Sequence, residues 1–193
     1  MTDQIFDRET LLSSSGAFIG ENVELSDMLT ARERRVWMQE KLISSFHKPL
    51  VSFTLNIPGP VKVLPLVPDA FVSGITRIEA ELKKKGLSVA GRDLILNKTG
   101  LEAFWAVEAG TDELKAAMVF VEDASDLGRL FDIDVIGTDG KKASREDLDL
   151  PARTCLLCGR PAHACARSRT HTVEELTARI ESILRKEFVH HGI

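Results

Sequence analysis

The chain has 193 residues, of which 44% are hydrophobic and 28% charged, with a formal net charge of -4. That length fits one compact domain able to bury a core of its own, and the acidic balance excludes bulk attraction to nucleic acid or an anionic membrane, so any anion site must be a local patch. No apolar run reaches the ~20 residues of a membrane span, the first residues lack a basic-then-apolar signal pattern, and the cytoplasm is the expected compartment.

Residues 1–22 are weakly patterned around "SSSG" and read as a flexible or loosely docked arm. Residues 23–193 read as a single domain. From Leu25 the apolar residues Leu25, Met28, Leu29, Val36, Ile43 and Phe46 recur near a helical period. In "PLVSFTLNIPGPVK", Val51, Phe53, Leu55 and Ile57 alternate with Ser52, Thr54 and Asn56, which predicts a strand stopped by Pro58, Gly59 and Pro60. Phe71, Ile75, Ile78 and Leu82 then form one helical stripe, ended at Gly86 after three lysines. Leu87 to Asn97 and Ala103 to Val107 predict a hairpin about "NKTG". Thr111 or Asp112 is the expected cap of a third helix, with Leu114, Ala117, Met118 and Val121 facing inward and Gly128 closing it. The strand "RLFDIDVIG" follows, then a polar, irregular Cys/Arg-rich loop over 151–171. Thr172 and Glu175 form the signature of a capping box for a last helix, whose stripe is Val173, Leu176, Ile180 and Ile183. The order is α-β-α-β-β-α-β-loop-α. It predicts an α/β (α+β) fold in which helices pack on a small mixed β-sheet.

The strand Arg129 to Gly137 raises the first question of chemistry. Successive strand side chains alternate faces, so Asp132 and Asp134 point the same way while Phe131, Ile133 and Val135 point to the core. Their Cα atoms stand about 6.5 to 7 Å apart. Like charges that close either raise one pKa or recruit a cation. Magnesium suits two carboxylates that share it with a substrate phosphate, which points to phosphoryl or nucleotidyl transfer. The plain alternative is a solvent-facing pair, with Arg129 as a surface salt-bridge partner.

"CLLCGRPAHACARSRTH" carries three cysteines within eleven residues, an odd count that does not suit a disulfide framework. Cys155, Cys158, His163 and Cys165 could supply four zinc ligands, although the His-x-Cys spacing is tight for a tetrahedral site. Three reduced cysteines packing as small hydrophobes are the alternative. Arg153, Arg160, Arg167 and Arg169, with His171, gather positive charge before the last helix, where a helix N-terminus already favours anions. A polyphosphate site and a solvated basic loop are equally compatible with that spacing. Lys62, after "NIPG", lacks a P-loop spacing. In "ARERR", Arg32 reads as a solvated face, while Arg34 and Arg35 stay open.

Four stretches, "LTARERRVWMQEKL", "PLVSFTLNIPGPVK", "GRLFDIDVI" and "SREDLDLPARTCLLCGRPAHACARSRTHTVEEL", resemble the citrate lyase holo-acyl-carrier-protein synthase family (CitX). The resemblance runs from about Val23 to the C-terminus. It implies a nucleotidyltransferase-like fold in which 23–193 is a transferase domain. It also implies transfer of the phosphoribosyl-dephospho-CoA group from 2'-(5''-triphosphoribosyl)-3'-dephospho-CoA to a serine of the citrate lyase acyl carrier (gamma) subunit, with loss of pyrophosphate. A sister family acting on malonate decarboxylase also has a D-x-D pair. The resemblance therefore assigns catalysis and magnesium binding to Asp132 and Asp134. Arg129, Arg167, Arg169 and His171 would hold phosphates, with Lys62 as a helper, and Arg34 and Arg35 would meet the donor or the acidic carrier. The resemblance does not itself establish zinc. The competing class is a non-enzymatic, zinc-stabilised binding module for protein or nucleic acid. Net charge and the lack of tyrosine count against nucleic acid.

Overall fold

The structure, a computed structural model, describes residues 6–189. Of the arm expected at 1–22 and the domain expected at 23–193, residues 1–5 and 190–193 lie outside the described residues. Five strands, β1 (Leu50–Leu55), β2 (Ser88–Asn97), β3 (Gly100–Glu108), β4 (Phe131–Ile136) and β5 (Lys142–Ala143), form one sheet in the order β2-β3-β1-β4-β5. Helices pack on it as the alternation of periods predicts. The sheet is not mixed, however: every strand pair is antiparallel. The reason is connectivity. β2 and β3 are a hairpin joined at Asn97 and Gly100. β1 lies between β3 and β4 and runs against both, so no parallel crossover arises.

One face of the sheet carries Val51, Phe53, Ala103, Trp105, Phe131, Ile133 and Val135, all at most 2% exposed. It is covered by α3 (Val67–Lys84), α4 (Thr111–Asp123) and α6 (Val173–Phe188). The α3 stripe of Phe71, Ile75, Ile78 and Leu82 is buried as its spacing predicts. Phe53 stacks on Phe71 at 5.4 Å between centroids and meets Phe131 edge-on at 5.2 Å. In α6 the capping box of Thr172 and Glu175 is formed, and Ile180 and Ile183 are buried. Val173 is instead 42% exposed, being in the first turn beyond the sheet. The α4 stripe is buried, but its N-cap is Gly110 rather than Thr111 or Asp112. A 3-10 turn at Gly128–Leu130 then leads into β4. A Cβ at Gly128 would stand 2.6 Å from the Glu122 carbonyl oxygen, so only glycine lets the chain pass there.

Two segments depart from the periodic reading. The arm contains α1 (Arg8–Gly16), capped by Asp7, and Leu11 is 1% exposed within the main core. Phe6, Leu12 and Phe18 pack against the same core beside it, and Phe6 meets Trp105 at 5.8 Å between ring centroids; anchors spread over a short helix and its flanks leave no periodic trace. The helix α2 (Leu25–Phe46) covers the other sheet face by only part of the expected stripe: Ile43 and Phe46 pack on it, but Leu25, Leu29 and Val36 are exposed at 76%, 51% and 51%. Ala31, Met38 and Leu42 face inward instead. The face beneath α2 is partly polar. Glu102, fully buried, accepts from Arg35 Nε at 2.5 Å, and Ser52 Oγ accepts from Gln39 Nε2 at 3.0 Å. An unpartnered buried carboxylate is expensive, so the helix is turned to bring Arg35 and Gln39 onto the sheet.

Candidate active site

The register builds the site. Residues directly opposite on antiparallel strands share a face. Ser52 is opposite Asp134 and Thr54 opposite Asp132, so both aspartates lie on the α2 side of the sheet, beyond the part that α2 covers. Asp134 forms a close ion pair with Lys142 of β5. Asp132 Oδ1 lies 3.6 Å from Arg153 Nη1. Half of the Asp132 side-chain surface meets solvent (51%). Protein nevertheless crowds it enough that desolvation raises its pKa; repulsion from Asp134 adds to this and Arg153 opposes it.

Beyond the start of β4 the strand has a bare outer edge, since β5 pairs only with Val135 and Ile136. Side chains satisfy that edge. Arg153 Nη2 donates to the carbonyls of Arg129 and Phe131, each at 2.8 Å. The Ile133 N–H donates to Glu122 Oε1 at 3.0 Å, and Lys115 Nζ donates to the Ile133 carbonyl at 3.2 Å. Glu122, 3% exposed, also accepts from Arg145 Nη2 at 2.6 Å and lies 3.6 Å from Arg153. Covering an edge with charged side chains in this way protects it from pairing with another chain. It also fixes Arg153 between Asp132 and Glu122.

Next to that edge is a cavity of about 550 Å³, a volume usual for small-molecule sites. Leu130, Leu156, Leu176 and Ile180 contribute its apolar wall, and Arg129, Arg145, Arg153, Arg169 and His171 its basic one. Arg145 is neutralised by Asp123 and Glu122. Arg129 Nη2 donates to Thr154 and to the Cys155 carbonyl, and among the described residues no carboxylate lies within ion-pair distance of it. Arg169 ends the short helix α5 (Ala162–Ser168) in the left-handed region, φ 47°.

Of the residues expected to hold phosphates, Arg129, Arg169 and His171 line this cavity and Arg167 does not. Lys62 is also outside it; its Nζ donates to the Ile57 carbonyl at 2.8 Å, and burial lowers its pKa. Arg34 and Arg35 reach from α2 to Glu102 of β3, at 3.9 and 2.5 Å. Glu122, Arg145 and Lys115 were missed. Glu122 did have a signal: it lies four residues after Met118, on the inward face of α4, and a carboxylate there must be paired.

The cysteines form one cluster, but with a different histidine. Ligand atoms of Cys155, Cys158, Cys165 and His171 lie within 4.8 Å of one another, so the group could hold a metal ion. His163 is exposed and outside it. Both His163 and Cys165 are on α5, and residues two apart on a helix point nearly opposite ways, so the tight His-x-Cys spacing excludes itself. The Cys158 thiol is lowered to about 5, first by its hydrogen bond from Arg160 and second by the nearby His171 imidazole.

The family model described as CitX, apo-citrate lyase phosphoribosyl-dephospho-CoA transferase, matches residues 23–187. The chain belongs to this family. A Citrobacter koseri member, an apo-citrate lyase phosphoribosyl-dephospho-CoA transferase, is 40% identical over 84% of this chain and 88% of its own length. A probable one from Vibrio cholerae is 42% identical over 84% of this chain and 92% of its own. One from Escherichia coli is 35% identical over 84% and 88%. Like these transferases, the chain is an enzyme, and the binding-module alternative has no support. Among the described residues of this apo-citrate lyase transferase family member, no helix is long and apolar enough to cross a membrane.

Proposed function

We propose that this chain transfers the phosphoribosyl-dephospho-CoA group of 2'-(5''-triphosphoribosyl)-3'-dephospho-CoA to a serine of the apo citrate lyase acyl carrier subunit. The observation that carries the reading is Arg153. It lines the cavity and also lies 3.6 Å from Asp132, which joins a basic cavity to the aspartate pair. The basic wall, with Arg129 and Arg169, suits the donor's phosphates, and the apolar wall of Leu156, Leu176 and Ile180 suits an organic portion of the donor.

Asp132 and Asp134 fit a divalent cation. They share one face, and desolvation and mutual repulsion raise Asp132; a cation there would take the place of Lys142 at Asp134 and share Asp132 with Arg153. Magnesium, when bound there, supplies charge neutralisation on the reacting phosphate. The serine oxygen bonds to the phosphorus bearing the ribose. The bond from that phosphorus to pyrophosphate breaks, and pyrophosphate leaves with the bonding electrons. One of the two carboxylates takes the serine proton. Arg153 and Arg129 orient the phosphate chain, which is where much of the acceleration of such a transfer resides. Independently of the transfer chemistry, thiolates and imidazole make the cysteine and histidine group suited to zinc, and cysteines free of disulfides suit a cytoplasmic enzyme.

The test is a mass measurement. Apo carrier subunit is incubated with donor, magnesium and this protein, and then weighed. The carrier is expected to gain the mass of the prosthetic group with wild type, and not with Asp132→Asn or Asp134→Asn. No gain with wild type would overturn the reading, and full modification by both variants would remove the aspartates from the chemistry.

A further inference from the structure

The segment 151–171 forms part of the cavity wall, yet it has almost no core of its own. Only Cys155 and Cys165 within it are buried, each at 6% exposure. Apart from the seven-residue α5 and the Arg129 bonds to the Thr154 and Cys155 carbonyls, its backbone is held by an isolated bridge, Thr154 to Pro161, and by turn bonds such as Cys155 N–H to the Arg160 carbonyl at 2.6 Å. A segment with so little buried apolar surface does not offset the entropy of its own ordering without a cross-link.

The side chains supply the means for one. Cys155 and Cys158 flank a tight turn with Gly159 at φ +71°, a conformation that glycine adopts freely. Cys165 comes in from α5 and His171 from just before α6. Cys158 Sγ and Cys165 Sγ stand 3.5 Å apart. That is far beyond a disulfide bond of about 2.05 Å. It is close to the separation of about 3.8 Å that follows for two sulfurs in a tetrahedron with zinc–sulfur bonds of about 2.3 Å. An independent observation points to a ligand: His171 Nε2 is buried and has no hydrogen-bond partner. Buried polar atoms without partners are rare.

We propose that Cys155, Cys158, Cys165 and His171 hold a structural zinc ion that clamps segment 151–171, and that this clamp holds Arg153 and Arg169 toward the cavity. Four protein ligands close the coordination shell, which marks a structural rather than a catalytic ion. The clamp acts directly on the basic wall. Arg153 precedes the first ligand by two residues, Arg169 lies between the last two ligands, and Arg129 donates to the Cys155 carbonyl at 3.1 Å. His171 is therefore a metal ligand and not a phosphate-binding group. The second half of the proposal, the effect on phosphate binding, rests on the transferase reading; the first half does not.

The experiment uses the full chain, untagged and purified without chelator. Elemental analysis is expected to find one zinc per chain in wild type and in His163→Ala, and a loss of most of it in His171→Ala and Cys165→Ser. Stripping zinc is expected to open 151–171 to limited proteolysis, and to weaken binding of inorganic tripolyphosphate at least tenfold, with both effects reversed by added zinc. Folded wild type with far less than one zinc per chain overturns the proposal, as does His163→Ala losing zinc as fully as His171→Ala. Zinc removal that leaves protease resistance unchanged overturns the clamp. If zinc and protease protection behave as expected but tripolyphosphate does not bind wild type, the clamp stands and the transferase reading of the cavity fails.

Discussion

Replacing Glu122 by alanine tests whether a buried carboxylate organises both the β4 edge and the cavity. The side chain is 3% exposed and serves three partners: the Ile133 N–H at 3.0 Å, Arg145 at 2.6 Å and Arg153 at 3.6 Å. Removing it leaves a buried N–H without an acceptor, which costs about 1–3 kcal/mol. Breaking a buried ion pair from one side costs about 3–5 kcal/mol. Arg145 keeps Asp123, at 2.9 Å, and Arg153 keeps two carbonyls, so the losses overlap rather than add. The expected destabilisation for Glu122→Ala is about 3–5 kcal/mol, measured by urea unfolding at pH 7 and followed by circular dichroism. For a chain of this size it lowers Tm by about 6–20 °C. Glu122→Gln keeps an oxygen acceptor for Ile133 and loses only the charge, so its loss is expected to be about half as large. Both variants should also bind tripolyphosphate more weakly, because Arg153 loses one of its two acidic supports. An alanine variant within about 0.5 kcal/mol of wild type, the range of an ordinary surface substitution, would refute the reasoning. So would a glutamine variant as unstable as the alanine one, because it would show that the Ile133 acceptor contributes nothing.

Two further outcomes follow from the geometry. At Gly74, in the middle of α3, a Cβ would collide with Phe53 Cζ and stand 2.6 Å from its Cε1. Phe53 is held between Phe71 and Phe131 and cannot step aside. Gly74→Ala should therefore destabilise by about 1–3 kcal/mol in urea unfolding despite alanine's better helix propensity; a gain in stability would show that the aromatic stack yields. Asp132 binds its proton more tightly in the folded than in the unfolded chain. Between the ordinary carboxylate value and its raised one the folded state holds more protons, so its contribution to stability falls as pH rises through that window. In metal-free buffer Asp132→Asn is expected to unfold at higher urea than wild type at pH 7. That advantage should disappear below the unfolded carboxylate pKa of about 3.9. A variant less stable than wild type at pH 7 would contradict the assignment of desolvation and repulsion to this residue.

The amino-acid sequence by itself determined what depends on near neighbours along the chain. The 4-3-4 stripe of Phe71, Ile75, Ile78 and Leu82 and the shared face of Asp132 and Asp134 follow from periods of 3.6 and 2, and the hairpin at Asn97 and Gly100 and the capping box at Thr172 from local turn and cap residues. Such features are set by backbone geometry within a few residues, and tertiary packing did not alter them. The tertiary structure alone decided which charged groups meet. Arg34 and Arg35 are taken by Glu102 from a strand far away in sequence, and with them facing the sheet the helix leaves Leu25, Leu29 and Val36 exposed. His171 rather than His163 joins the cysteines because a helix sends His163 away from Cys165. Arg153 reached Asp132 only because the outer edge of β4 lacked a strand partner and needed donors. A buried charge is settled by whichever opposite charge the fold brings to it, and with no periodicity in the pairing, spacing along the chain cannot reveal the partner.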